Sequence, residues 1–348
     1  MDNGTMKCSG QSGQYAAIDL VKFIMSICVV AIHTGPLTNC ENRVITQLYN
    51  SFVIYAVPFF FIASGFFLGR KLAKTSSGDD YQIKPIMAYL QKILLMYVTW
   101  TVLYLPLTVI GFVKWNDSVI SSVAKFIRNV IFVGENYNSW SLWYLLSTIY
   151  ALIFVIILRK MKASLDIITI FGFLAACVGI FVDLLVNYKG TLSAIPELIC
   201  KVIQVTVCNG RLFQGFFYIP LGILFASKQT LPFKSGIFMF LSGFAVNYCL
   251  DGIVAEFAVM VSSAGLFLTV VHTRLPASPL YPKLRSISTD VYCLHLMIWT
   301  VYYAVVYGEK RFGLDCFIAT LVISILSSHM LSILRQRRMA KDLTQKSR

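Results

Sequence analysis

Ten apolar runs dominate this chain and leave it few folds to choose from. They span roughly 15–34, 51–69, 87–112, 140–158, 164–187, 212–227, 232–249, 252–271, 290–307 and 313–334. Most approach or exceed the ~20 residues that a helix needs to cross a bilayer. The sixth and ninth are short and are expected to tilt or to re-enter. The runs are continuous rather than alternating, which excludes a transmembrane β-barrel. At 57% hydrophobic and 13% charged residues, a soluble chain of 348 residues could not hide its apolar surface. The expectation is an all-α, polytopic membrane bundle of about ten transmembrane helices, in which every backbone N–H and C=O is satisfied within its own helix. The apolar transmembrane domain is expected to cover 1–334, and 335–348 reads as a basic cytoplasmic tail or a linker to a cytoplasmic domain.

Charge sets the orientation. A net charge of +14 in a soluble protein would point to nucleic acid. Here it reads as basic loops facing anionic lipid, and no nucleic-acid partner is expected. With the N-terminus in the cytoplasm and sides alternating, inner segments hold 19 Lys and Arg and outer segments 9. This bias places both termini in the cytoplasm. No cleavable signal peptide is visible, so the first run should stay in the mature chain. The 9 Cys include no CxxC pair and mostly lie in apolar runs, where Cys packs as a small hydrophobe. Cys200 and Cys208 share one loop and are a candidate pair in an oxidising space. No 20–50-residue repeat and no inverted repeat stands out.

The first run, AIDLVKFIMSICVVAIHTGP, carries Asp19, Lys22 and His33, and ionisable groups at membrane depth are costly and by default functional. Eleven positions separate Lys22 from His33, nearly three full turns, so they share a helix face about 16 Å apart. Asp19 lies one turn below Lys22, where it is expected to serve as counter-ion. His33 is expected near the outer surface, where Gly35 and Pro36 end the helix. Lys22 snorkelling inward and His33 as an ordinary interfacial side chain are the simpler readings. The shared face favours a polar stripe along one internal cavity, with His33, Lys22 and Asp19 as candidate catalytic residues.

Other polar groups join this stripe. Ser64, beside Gly65 in FFFIASGFF, is placed at the depth of Lys22, although a small pair also simply lets helices approach. Arg70 and Lys71 mark the inner surface and are candidates for phosphate. Lys92 sits in the inner third of the third run. Asp290, Tyr292 and His295 are placed at the inner end of the ninth, so Lys22, Lys92 and His295 are expected to converge on the cytoplasmic side. On the outer side NSWSLWYLL offers Trp140, Trp143 and Tyr144, and NGRLFQGFFYIPLG offers Arg211 and Gln214. Trp and Tyr at that depth are usually belt residues, and Trp140 has that reading too. No GxSxG, P-loop, HExxH or metal-ligand cluster is present, and His33, His272, His295 and His329 are scattered, so no metal is expected.

The first run resembles the opening helix of the acyltransferase-3 family of integral membrane proteins, with Lys22 and His33 matching its basic residue and His. FFFIASGFF is similar to that family's second helix and VYCLHLMI to its late helix. HTGPL, AVPFFFIASGFF, SLWYLL and NGRLFQGFFYIPLG look like one branch, the membrane domains of VanT-type serine racemases. The resemblance implies a multi-pass protein of the bacterial plasma membrane. In the family, acyl-CoA is the co-substrate, a His acts as general base on an acceptor hydroxyl, and the basic residue holds the CoA end. The family's Arg-x-x-Arg on the third helix is replaced by Tyr89-x-x-Lys92, which loses a bidentate phosphate clamp. In the VanT branch the resemblance implies uptake of L-serine for a covalently following racemase domain, D-serine supply and vancomycin resistance. Pyridoxal phosphate would belong to that domain, and this chain is expected to hold no cofactor of its own. Lys22 or Arg211 would then take the serine carboxylate, and Asp19 or backbone carbonyls its ammonium. An inert anchor with an inherited fold is the third reading.

Overall fold

The computed structural model describes residues 15–74, 79–187, 199, 201–203, 205, 210–228 and 231–346. Cys200 and Cys208 lie outside the described residues. The chain forms twelve α-helices among those residues: α1 (Ala16–Thr34), α2 (Arg43–Val53), α3 (Ala56–Leu72), α4 (Asp79–Lys114), α5 (Val119–Arg128), α6 (Trp143–Lys160), α7 (Leu165–Asn187), α8 (Gln214–Ser227), α9 (Phe233–Cys249), α10 (Ile253–His272), α11 (Leu280–Val306) and α12 (Leu314–Lys346). No strand occurs among the described residues.

Each of the ten apolar runs is helical. Eight spans meet the length and hydropathy needed to cross a membrane, and α8 is a shorter apolar helix. The ninth run corrects an expectation. It is not short, because α11 starts at Leu280 and runs 27 residues, adding nearly three turns that Lys283 and Arg285 mask in a hydropathy reading. The last helix also continues beyond the apolar run, to Lys346. Two helices, α2 and α5, are short and amphipathic. Asn42 caps α2, its side chain accepting from the Val44 and Ile45 N–H groups at 3.0 and 3.2 Å.

The centre of the bundle is α3. The spanning window in Arg43–Leu72 is 72% buried, against 17–22% for those in α4, α7 and α12, which therefore present their apolar faces to lipid. Phe59, Phe61, Ile62, Leu145, Ile219, Phe267 and Trp299 are fully buried. Backbones meet closely where α8 inserts between α3 and α7. A Cβ on Gly65 would collide with the Ile219 carbonyl, one on Gly222 with that of Ile62, and one on Gly172 with that of Phe216.

Candidate functional site

The site forms where α1 ends inside the bundle. Gly35 takes a left-handed conformation (φ 59°) and its N–H donates to the Ala31 carbonyl at 2.9 Å, stopping α1 just after His33. Helix α11 runs past this level for another eleven residues, about 16 Å. His33 thus lies beneath a rim of later chain segments, one of which is tied directly to α1 through Gly313 N–H and the Thr34 carbonyl at 2.9 Å.

His33 stacks on His295, with ring centroids 5.2 Å apart. On another side stands Trp140, 6.3 Å away. His295 is fully buried. Its Nδ1 lies 2.8 Å from the Tyr292 carbonyl, which can only accept, so Nδ1 carries the proton and donates. In the neutral ring this makes Nε2 the acceptor, and it has no hydrogen-bond partner among the described residues. No hydrogen bond fixes the His33 ring among the described residues.

A cavity of about 340 Å³ opens beside His33. Arg211, Gln214, Trp143 and Tyr292 line it together with His33, so five of the residues singled out in the sequence share one space. Asp183, Glu256, Ser141 and Tyr218 line it as well. Gly210 (φ 72°) packs so tightly on the Gly179 carbonyl that a Cβ would not fit, and this turn aims Arg211 inward. The Arg211 guanidinium pairs with Glu135 and lies 5.0 Å from the Trp143 ring centroid. The hydroxyl of Tyr292 donates to the Ser141 carbonyl at 2.6 Å, holding the ring at the cavity wall.

Several expected residues lie elsewhere. Ser64 and Tyr144 form a half-buried pair, their oxygens 3.1 Å apart, behind Tyr292, whose ring is 5.4 Å from that of Tyr144. Lys22 does not share the His33 cavity. Its ammonium sits 6.0 Å from the Phe60 ring centroid, and Phe60 in turn packs on Tyr144 and Tyr292. Aromatic side chains thus fill the space where a continuous polar stripe was expected.

Asp19 is also re-partnered. It makes a bidentate pair with Arg285 of α11, at 2.7 and 2.6 Å, rather than with Lys22. The guanidinium fork matches a carboxylate in a way that a lysine ammonium cannot. His295 does not converge with Lys22 and Lys92, because the early start of α11 carries it some 22 Å up from the helix N-terminus to the level of His33. Lys92 is exposed on α4 and close enough to Lys22 to repel it. Arg70 stacks over Tyr15 at 5.9 Å, and Lys71 is exposed at the end of α3. Asp290 accepts from Arg335 and Ser328, both at 2.8 Å, so the base of the tail is docked on α11.

Sequence reasoning missed Asp183, Glu256 and Glu135. Each is a single carboxylate near the end of an apolar run and reads as interfacial. The usable signal was that all three fall at the outer depth shared by Arg211 and His33. Among the described residues no group of three His, Cys, Asp or Glu could hold a metal.

Fold and site define a polytopic membrane protein with a charged cavity in the half of the bundle where α1 ends. The chain belongs to the acyltransferase-3 domain family, whose profile matches residues 15–332. It is similar to two Enterococcus faecalis proteins, each named an amino-acid racemase. One is 28% identical over 239 residues, covering 64% of this chain and 30% of the relative. The other is 31% identical over 144 residues, covering 41% and 19%. The matched region is thus less than a third of each relative's own length. No solved structure matches.

Proposed function

We propose that this chain binds a small zwitterionic amino acid, L-serine first among candidates, and delivers it across the membrane to a racemase domain attached on the cytoplasmic side. The observation that carries this reading is the cavity beside His33, which has a guanidinium (Arg211) and two carboxylates (Asp183, Glu256) on its walls. Arg211 receives the substrate carboxylate, and Glu256 with Asp183 receives the ammonium. Gln214 and His33 supply hydrogen-bonding partners for a hydroxyl. The volume holds roughly ten waters' worth of ligand and solvent, enough for a free amino acid. The racemase names of the relatives support an amino acid as cargo. In this reading the protein lies in a bacterial plasma membrane and contributes to D-serine supply and so to vancomycin resistance.

A binding measurement tests the assignment. Purified chain should bind labelled L-serine, and excess ethanolamine or propionate, each lacking one charge, should compete far less well than unlabelled serine. Folded Arg211→Ala protein should lose binding. Equal competition by ethanolamine would remove Arg211 from the reading.

One observation favours a second reading. Among the described residues the His33 ring makes ring contacts but no hydrogen bond, and it is backed by the His295 imidazole, as suits a general base that takes a proton from an acceptor hydroxyl. In that reading acyl-CoA is the co-substrate, and its phosphates meet Lys22, Lys92, Arg70 and Lys71. The aromatic wall between Lys22 and the His33 cavity weighs against it, since an acyl chain must pass there. Binding of acyl-CoA, but not of serine, would reverse the preference. Binding of neither would leave a membrane anchor.

A further inference from the structure

We propose that Lys310, in the loop between α11 and α12, is a positioning residue for the site, holding the Trp140 ring over His33 as its outer cover. The inference concerns access to His33 and holds whether that side chain meets a zwitterion or a hydroxyl.

Four groups form a column from the surface inward. The Lys310 ammonium lies 4.4 Å from the Trp140 centroid, Trp140 lies 6.3 Å from His33, and His33 lies 5.2 Å from the buried His295. Two further rings surround the same ammonium, Phe312 at 5.1 Å and Trp299 at 5.4 Å. No carboxylate pairs with Lys310 among the described residues, so ring faces are its partners, an arrangement favourable to a cation. Packing on those rings desolvates the ammonium and lowers its pKa from the ordinary lysine value.

The loop is built to hold this position. Fully buried Trp299 donates from Nε1 to the Arg311 carbonyl at 3.0 Å, fixing the residue next to Lys310. Gly308 (φ 74°) and Gly313 (φ 148°) bracket the loop in conformations that suit glycine. Neighbouring Arg311 turns away to stack on Tyr307 at 4.6 Å, which leaves Lys310 as the cation facing Trp140. Trp140 itself is the first residue of the 3₁₀ turn Trp140–Leu142, which is entered through Asn138 at φ 54° and leads directly into α6. Trp140 thus stands at the N-terminal edge of this helical stretch, with no helical turn before it, and the Lys310 contact holds its ring from the loop side.

The test is carbethoxylation of His33 by diethylpyrocarbonate in the full chain in nanodiscs, followed by mass spectrometry of the His33 peptide. Lys310→Ala should raise the His33 rate roughly two- to five-fold, the factor that an exposed cation–π contact represents. Lys310→Arg, which keeps a cation for the rings, should restore the wild-type rate. Lys310→Met, which keeps length and loses charge, should behave like Lys310→Ala. In a Trp140→Phe background the effect of Lys310→Ala should shrink, because the two act as one unit. Lys310 is exposed, so these variants should unfold at the wild-type temperature, checked alongside. An unchanged His33 rate in Lys310→Ala, or full protection in Lys310→Met, overturns the proposal.

Discussion

Asp19 has two cations within reach, Lys22 one turn along its own helix and Arg285 on α11, and it pairs with the second. The choice follows from geometry, because a guanidinium fork satisfies both carboxylate oxygens at once. Asp19 is buried while Arg285 stays half exposed, so the pair pins α1 to α11 at the end opposite His33. Asp19→Ala should therefore destabilise the fold by roughly 1–3 kcal/mol, read as a lower unfolding midpoint in detergent. Arg285→Ala in that background should add little, and a fully additive loss would show that the two do not act together. The first helix alone made the charges of Asp19 and Lys22 conspicuous and set their shared face. It could not show that a partner 266 positions away competes for Asp19. The same limit applies at His33. Its place near the end of α1 was readable from Gly35 and Pro36, but its partner His295 was not, since that depended on where α11 begins.

Helix α8 has only 14 residues and is wedged between two neighbours by glycines on their surfaces. Gly65 of α3 meets the Ile219 carbonyl and Gly172 of α7 meets that of Phe216, both too close for a Cβ. Gly65→Ala should force α3 and α8 apart and cost about 1–3 kcal/mol, with a lower unfolding midpoint. An unchanged midpoint would mean that α3 and α8 do not depend on this close approach. The Ser64-Gly65 pair was legible as a close-approach signal, and Gly65 has that role. Most helices were legible too, because long apolar runs in a bilayer have few other forms. The amphipathic helices α2 and α5 were not, since their periodic but modest hydrophobicity is lost between longer runs. On α5, Val119 and Ile120 are 79% and 86% exposed, as fits a helix lying in the interface. An environment-sensitive dye on Ile120→Cys should shift to the blue when the protein enters vesicles. A water-like spectrum there would place α5 away from lipid.

For the molecule as a whole, two Asp–Arg pairs, Asp19–Arg285 and Asp290–Arg335, tie α11 to α1 and α12 on one side of the bundle, while the cavity opens toward the other. That the chain folds as a bundle of apolar helices was readable from its composition and its long apolar runs. Which polar residues meet was not, because convergence depends on helix ends that hydropathy blurs. Arg211, Gln214, Trp143, Tyr292 and His33 do gather around one cavity, and the carboxylates that complete it, Asp183 and Glu256, carried no separate sequence signal. The central claim is that this charged cavity carries a zwitterion. The most direct measurement is uptake of labelled L-serine into proteoliposomes of the wild-type chain beside folded Arg211→Ala and His33→Ala proteins. Saturable uptake that falls at least roughly ten-fold in Arg211→Ala, the loss of about one charged contact, is the expected result. Absence of uptake by well-folded wild-type protein, or uptake untouched by Arg211→Ala, would contradict it.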